Sequence, residues 1–144
     1  MKPMPFILLI EDNEQDEILT IKALKKNNVL NEIAVARDGA EALDLLLNNE
    51  SAVYQSDLPQ LILLDLKLPK IDGLEVLRQI RSHHRTKIIP VVILTTSKED
   101  SDLLSGYELG ANSYVRKPVD FCEFADVVRS LGTYWLILNE KAPL

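Results

Sequence analysis

The sequence is poor in the residues that cross-link a chain or bind soft metals. Among its 144 residues, Cys122 is the only cysteine, and the two histidines, His83 and His84, are adjacent. One cysteine cannot form an internal disulfide, and adjacent histidines lack the spacing at which a helix presents two zinc ligands. The sequence therefore excludes a disulfide framework and gives no support to a zinc site.

Long apolar runs and an excess of basic residues are lacking as well. A run such as Phe6–Ile10 is far shorter than the roughly 20 residues that cross a bilayer, and it is too short for a secretory signal. Sixteen Lys and Arg against 22 Asp and Glu give a formal net charge of −6. With neither a membrane span nor a secretory signal, we expect a cytoplasmic protein. Because contacts to phosphate and to anionic lipid need clustered cations, we expect it to bind neither nucleic acid nor membranes.

What the sequence does contain is a regular succession of short apolar runs. They predict five strands, at Phe6–Ile10, Ile33–Ala36, Leu61–Leu64, Ile89–Leu94 and Ser113–Val115. The first, third and fourth runs are nearly continuous rather than alternating, which is typical of strands buried on both faces of a parallel sheet.

The segments between these runs have helical spacing. Helices are predicted to begin after Asn13, Asp38, Asp72 and Ser97, and a last helix to run from Val119-Asp120 to about Leu138. Gly110 is expected to end the fourth helix, and Asn48–Pro59 to form a long surface loop. Strands that alternate with helices predict one doubly wound α/β domain.

Acidic residues follow two of the predicted buried strands directly. Glu11 and Asp12 come after the first strand, and Asp65 comes after the third. Ligand crevices in open α/β sheets lie beyond the carboxyl ends of the strands, so these three carboxylates converge if the two strands are neighbours. Converging carboxylates repel unless they take up protons or a cation, and a hard cation such as Mg²⁺ suits oxygen ligands. Taken alone, Asp12 or Asp65 is better explained as a helix N-cap.

A hydroxyl and an ammonium group are predicted at the same edge of the sheet. Thr95 directly follows the fourth apolar run, and Lys117 comes two residues after the fifth. A hydroxyl and a lysine beside a carboxylate–metal pair suit a transferring phosphoryl group, whose charge needs donors and cations around it. The coincidence of these groups, rather than any one of them, predicts a site.

In the order and spacing of these acidic, hydroxyl and lysine residues, the sequence resembles the receiver domains of two-component response regulators over nearly its whole length. The residues that carry the resemblance are Glu11-Asp12, Asp65 within Leu63–Pro69, Asp72-Gly73, Thr95, Gly110-Ala111 and Lys117-Pro118. The resemblance implies a flavodoxin-like, CheY-like fold, a five-stranded parallel sheet of order 2-1-3-4-5 with five helices. It also implies that residues 1–144 form a single receiver domain without an output domain.

The resemblance assigns roles around the acceptor. Asp65 is similar to the phosphoryl acceptor of the family, and Glu11, Asp12 and Asp65 to its Mg²⁺ site. The backbone carbonyl of Lys67 is similar to the further metal ligand two residues past the acceptor. The phosphoryl donor implied is a sensor histidine kinase, and the protein is expected to be a signalling protein rather than an enzyme acting on other substrates.

The resemblance also assigns residues at the other strands. Lys117 is similar to the lysine that pairs with the acceptor and then with the phosphoryl oxygens, and its bond to Pro118 is expected to be cis. Thr95 and Tyr114 resemble the switch hydroxyl and the switch aromatic residue. Without the family, Tyr114 is explained as an ordinary packed aromatic side chain.

The C-terminal segment Tyr134–Leu136 and the loop before the third strand resemble a narrower group, the single-domain regulators that pair with cyanobacterial and other bacterial phytochromes. That resemblance implies a phytochrome as the kinase and a homodimer through the face of the fourth and fifth helices. The apolar stretch Tyr134–Leu138 supports a contact surface, although folding back onto the core explains it equally well.

Two other functions remain open from sequence alone. A Mg²⁺-dependent phosphatase of the haloacid dehalogenase type needs a second acid two residues after its aspartyl nucleophile, and Lys67 occupies that position. A scaffold of the same fold that is never phosphorylated is disfavoured by the complete set of acceptor, acids, hydroxyl and lysine. Lys67 itself is a long cation beside the acceptor, and we hypothesise that it alters the lifetime of an aspartyl phosphate.

Overall fold

In the part of the chain that the structure describes, five parallel strands alternate with five helices. The structure, a computed structural model, describes residues 6–27, 31–47 and 58–143. The strands are β1 (Phe6–Ile10), β2 (Glu32–Ala36), β3 (Leu61–Leu64), β4 (Val91–Thr95) and β5 (Ser113–Arg116). The helices are α1 (Glu14–Lys26), α2 (Gly39–Leu47), α3 (Gly73–Ser82), α4 (Asp100–Glu108) and α5 (Phe121–Thr133).

The strand order in the sheet is β2-β1-β3-β4-β5, as the resemblance implied. Alternate residues of each central strand face opposite layers, because side chains in a strand alternate in direction. Leu8 and Ile10 pack with α2 and α3, whereas Ile7 and Leu9 pack with α1 and α5. Both faces of β1, β3 and β4 are therefore buried, which explains their continuous apolar sequence.

Local capping explains where several helices begin. The side chains of Asn13, Asp72 and Asp120 accept hydrogen bonds from backbone N–H groups three residues later, at 3.0, 3.1 and 3.0 Å. Each satisfies a donor that the first helical turn leaves unpaired. Helix α4 is followed by Gly110 at φ 102°, the left-handed conformation that favours glycine after a helix. These termini were predicted correctly from the sequence.

Strand β4 begins at Val91, two residues later than the apolar run predicts. The backbone N–H of Ile89 donates to the carbonyl of Thr86 in a preceding turn, at 3.1 Å. Pro90 has no N–H to donate to a neighbouring strand, although its carbonyl accepts from Ile62 at 2.9 Å. Apolar character alone therefore placed the start of the strand too early.

The last helix changes character at its C-terminal end. Tyr134–Leu138 forms a π-helical turn that continues α5. Trp135 and Leu136 pack against the core beside α5, while Tyr134, Ile137 and Leu138 are exposed. Folding back onto the core is therefore confirmed for part of the segment, and a contact surface at its exposed part stays a prediction.

Most of the predicted loop Asn48–Pro59, including Tyr54, lies outside the described residues. Within the described part of the chain, none of the helices combines the length and the apolar character needed to span a membrane.

Candidate functional site

The sheet topology brings the predicted site residues together at the carboxyl edge. Ile10 of β1 is paired with Leu64 of β3, so Glu11 and Asp65, the next residue of each strand, leave the sheet side by side. Thr95 ends β4, and the Lys117 N–H donates to its carbonyl at 2.7 Å. The edge where the strand order reverses is the position expected for a ligand site in this class of fold.

The ammonium group of Lys117 lies at the centre of the site. Its Nζ atom is 2.5 Å from Oε1 of Glu11, 2.8 Å from Oδ2 of Asp16 and 3.0 Å from Oδ2 of Asp65. The side chain of Lys117 is only 3% exposed. A lysine buried to this degree needs hydrogen-bond acceptors and opposite charge, and these three carboxyl groups supply them.

Asp16 is a site residue that sequence reasoning missed. It lies in the first turn of α1, where an acidic residue is adequately explained by the helix dipole. Its position three residues after the Asn13 cap gives no indication that its carboxylate faces Lys117, which is 101 residues away. Only the packing of α1 beside the edge of the sheet reveals the contact.

The two buried carboxyls have opposite pKa shifts. Burial raises the pKa of Glu11 to about 8, against the attraction of Lys117, and the neighbouring Asp65 raises it further. Burial opposes ionisation of Asp65 too, but the charge of Lys117 and hydrogen bonds from Glu11, Lys117 and Thr95 outweigh it and hold the pKa of Asp65 below its usual range. Asp65 is therefore ionised at neutral pH, while Glu11 retains its proton unless a further cation is present.

Glu11, Asp12 and Asp65 can share a cation. Each offers one carboxylate oxygen, and the three oxygens lie within 4.8 Å of one another. Asp12 is exposed whereas Glu11 and Asp65 are buried, so the cluster opens to solvent on one side. Three oxygen donors, an accessible side and a buried acid with a raised pKa fit a hard divalent cation that retains water. The role of the Lys67 carbonyl as a further metal ligand stays a prediction.

Of the two predicted switch residues, Thr95 ends β4 and Tyr114 packs against α4. Thr95 is fully buried, and its Oγ1 accepts a 3.4 Å hydrogen bond from the N–H of Ser97. Tyr114 packs beneath Gly106 of α4, where an added Cβ would lie 3.2 Å from the Tyr114 ring. Among the described residues its buried hydroxyl meets no hydrogen-bond partner, and burial raises its pKa. Within the part of the chain that the structure describes, Tyr114 is thus packed through its ring and unsatisfied at its polar end.

Lys67 pairs through its ammonium group with an acid of α4. Its Nζ atom lies 3.5 Å from Oδ2 of Asp102 in α4, while its backbone N–H donates to Oδ1 of Asp65 at 3.3 Å. The same Asp102 oxygen accepts a 2.6 Å hydrogen bond from the hydroxyl of Ser97. Asp102 therefore connects the loop after β3 with the loop after β4.

One expectation from the resemblance is wrong. The bond between Lys117 and Pro118 is trans, not cis. A proline peptide bond favours the trans form by only about 0.5–1 kcal/mol, so the sequence by itself does not fix the isomer. In this structure Lys117 reaches the acidic site with a trans bond.

Comparison with known proteins agrees with this geometry. A family model described as response regulator receiver domain matches residues 7–129. FilR2 of Methanothrix harundinacea, named as a probable methanogenesis regulatory protein, is 44% identical over 95% of this chain and 88% of its own length. Response regulator Rcp1 of Synechocystis is 39% identical over 93% of this chain and 90% of its own length.

Two solved structures are similar over nearly the full length. The phosphorylated cyanobacterial phytochrome response regulator RcpA has a TM-score of 0.91 at 37% identity and covers 98% of this chain and 100% of its own. The Mn²⁺-bound form of Rcp1 has a TM-score of 0.88 at 37% identity with the same coverage. The predicted likeness to cyanobacterial phytochrome regulators is confirmed, and a metal-bound relative agrees with the acidic cluster.

Proposed function

Because this chain belongs to the response regulator receiver domain family, we propose that it accepts a phosphoryl group on Asp65 from a sensor histidine kinase. A carboxylate oxygen of Asp65 attacks the phosphorus atom and forms a new P–O bond. The bond between phosphorus and the kinase histidine nitrogen breaks, and its electron pair stays on that nitrogen. The product is an aspartyl phosphate, and the histidine nitrogen takes up a proton from water so that the residue leaves as neutral imidazole.

The observation that carries this proposal is the ionised, buried carboxylate of Asp65 beside Lys117. An attacking carboxylate must be free of its proton, and the lowered pKa of Asp65 meets that requirement. The Lys117 ammonium, 3.0 Å from Oδ2, lies where it can also pair with the oxygens of an arriving phosphoryl group. The fully buried Thr95 hydroxyl adds a donor at the same edge.

The cation we propose for the acidic cluster is Mg²⁺, held by Glu11, Asp12, Asp65 and the carbonyl of Lys67. The carboxylate oxygens of this cluster are the hard donors that Mg²⁺ prefers. When bound, the ion would neutralise negative charge on the phosphoryl oxygens. The protein contributes the oxygen ligands and keeps Lys117 beside them.

Output is proposed to come from movement of Thr95 and Tyr114 under α4. A phosphoryl group adds about −1.5 to −2 charge at this edge and offers acceptors to the Thr95 hydroxyl. Displacement of Thr95 would alter the packing of the Tyr114 ring beneath Gly106. The surface formed by α4 and α5 would then change in response to a local electrostatic event.

For the partners, we propose a phytochrome-type sensor kinase and a homodimer through the α4–α5 face. The phytochrome regulators among the similar structures support the first. Exposed apolar side chains on or beside both helices support the second, namely Leu104, Tyr107, Val119 and Phe121. We also propose that the protein is cytoplasmic. Its acidic net charge supports the proposal that it binds neither nucleic acid nor membranes. We further propose that it turns over no other substrate.

The test is phosphorylation of the purified protein by acetyl phosphate with Mg²⁺ and by candidate histidine kinases. The wild type should gain one phosphoryl group by intact mass, and Asp65→Asn should gain none. Asp120→Asn is the matched control, because it makes the same chemical change at an exposed position where asparagine also caps a helix. Absence of labelling in the wild type would contradict the proposal and favour an unphosphorylated scaffold.

A further inference from the structure

The ammonium group of Lys117 has as many acceptors as it has hydrogens. A lysine ammonium donates three hydrogen bonds, and Glu11, Asp16 and Asp65 accept at 2.5, 2.8 and 3.0 Å. The three carboxylates come from different places in the fold: after β1, from the first turn of α1 and after β3. This arrangement fixes the ammonium in three directions rather than merely balancing its charge.

Two of these acceptors belong to groups that change during phosphorylation. Glu11 and Asp65 are members of the acidic cluster that can share a cation, and Asp65 is also the proposed acceptor. Asp16 is not a member of that cluster. Once an oxygen of Asp65 is bonded to phosphorus, Asp16 is the Lys117 partner whose own chemistry stays the same.

The backbone of Asp16 is fixed by its neighbours in α1. Its N–H donates to Oδ1 of Asn13 at 3.0 Å, and its carbonyl accepts from the Thr20 hydroxyl at 2.7 Å. Its side chain is 22% exposed, so the carboxylate reaches Lys117 from the solvent side of the site. A carboxylate on a capped helical turn is a rigid anchor for a flexible four-carbon lysine chain.

We propose that Asp16 is a positioning residue for the phosphoryl transfer, holding the Lys117 ammonium beside Asp65. The inference rests on the proposed function, since it assumes that Asp65 is the acceptor. Asp16 does not touch the phosphoryl group. Its role is to supply the third acceptor oxygen, so that Lys117 keeps its place as the other two carboxylates exchange partners.

Three variants of equal net charge test this role. Asp16→Ala removes the acceptor oxygen, and Asp16→Asn removes the charge but keeps an oxygen. Glu17→Ala removes the neighbouring acid, whose partner is Arg37 at 3.0 Å. The rate of phosphorylation by acetyl phosphate with Mg²⁺ is measured by intact mass for each variant and the wild type, and folding is checked by urea denaturation.

We expect Asp16→Ala to slow phosphorylation on the order of tenfold, the usual effect of losing one charge-assisted hydrogen bond. Asp16→Asn should recover most of that loss, and Glu17→Ala should stay within about twofold of the wild type. The inference is overturned if Asp16→Ala reacts like the wild type, if Asp16→Asn is as slow as Asp16→Ala, or if Glu17→Ala is equally slow. If the wild type is not labelled at all, the proposed function fails instead.

Discussion

The Nζ atom of Lys67 lies 3.5 Å from Oδ2 of Asp102, so the cation next to the acceptor in sequence is paired with an acid of α4. Lys67 is otherwise exposed, with 61% of its side chain accessible. Such a pair is weak and can exchange partners. A phosphoryl group on Asp65 would carry more negative charge than Asp102 and would attract the Lys67 ammonium more strongly.

The lifetime of the aspartyl phosphate should therefore depend on both residues, in opposite directions. Lys67→Ala should shorten it several-fold, because no ammonium then shields the phosphoryl group from water. Asp102→Asn should lengthen the lifetime, because the Lys67 ammonium is then less strongly attracted to residue 102 of α4 and can pair with the phosphoryl group. The measurement is loss of the phosphoryl group with time after the phosphodonor is removed. Lys70→Ala, which removes a lysine of the same loop that pairs with Asp38, is the control. Identical rates in wild type and Lys67→Ala would rule out the role.

The metal-free protein should lose stability as the pH rises from about 5 to 8. The pKa of Glu11 is raised from 4.5 to about 8 by burial, so the folded state binds this proton more tightly than the unfolded state. Stability therefore falls between these two values, by at most about 1.4 kcal/mol per pH unit, and levels off above pH 8. The lowered pKa of Asp65 acts in the acidic range instead, where its stabilising effect is lost as the pH falls.

Urea denaturation at several pH values, in the presence of a chelator, measures the slope of the free energy of unfolding against pH. Glu11→Gln should flatten it, while Glu17→Gln should leave it unchanged. Saturating Mg²⁺ should reduce the slope in the wild type, because cation binding replaces the proton. An unchanged slope in Glu11→Gln would show that another group titrates in this range.

Arg81 should be important for stability although it lies outside the site. Its guanidinium donates to the carbonyls of Gly110, Lys87 and Ile89 and to Oδ1 of Asn112, at 2.7–3.0 Å. Lysine has the charge but not the planar fork that reaches several acceptors. Arg81→Lys should lower the free energy of unfolding by about 2–3 kcal/mol.

The matched control for Arg81 is Arg78→Lys, one helical turn earlier in α3. Arg78 pairs with Glu75 on the surface, so its replacement should change stability by less than about 0.5 kcal/mol. Chemical denaturation of both variants gives the comparison. Equal losses would mean that the hydrogen bonds of Arg81 contribute no more than a surface ion pair does.

Replacing apolar residues on α4 should weaken the proposed dimer. Leu104 and Tyr107, one turn apart, are 60% and 52% exposed. A charge introduced by Leu104→Glu would be buried unpaired in an interface through this helix, at a cost of several kcal/mol. Light scattering with and without acetyl phosphate measures the mass, and Ile88→Glu, at an exposed apolar position outside α4 and α5, is the control. A wild type that stays monomeric in both states would exclude the dimer.

The sequence by itself determined the elements and most of the site. Continuous apolar runs indicated the buried strands, and Asn13, Asp72 and Asp120 marked helix starts because capping depends on neighbours within one turn. Asp65, Thr95 and Lys117 were found because each directly follows or ends a strand, and parallel strands bring their ends to one edge. The start of β4 was placed too early because apolar character does not register the missing N–H of Pro90.

Only the tertiary structure decided which charged groups meet. Asp16 has the sequence signature of an ordinary first-turn acid, yet the packing of α1 places it 2.8 Å from Lys117. Lys67 follows the acceptor by two residues, yet its ammonium reaches an acid 35 residues away. Long side chains choose partners by distance through space, and the choice between cis and trans at Pro118 depends on a free-energy difference too small to be read from two residues. Local rules therefore located the site, and packing determined how its charges are paired.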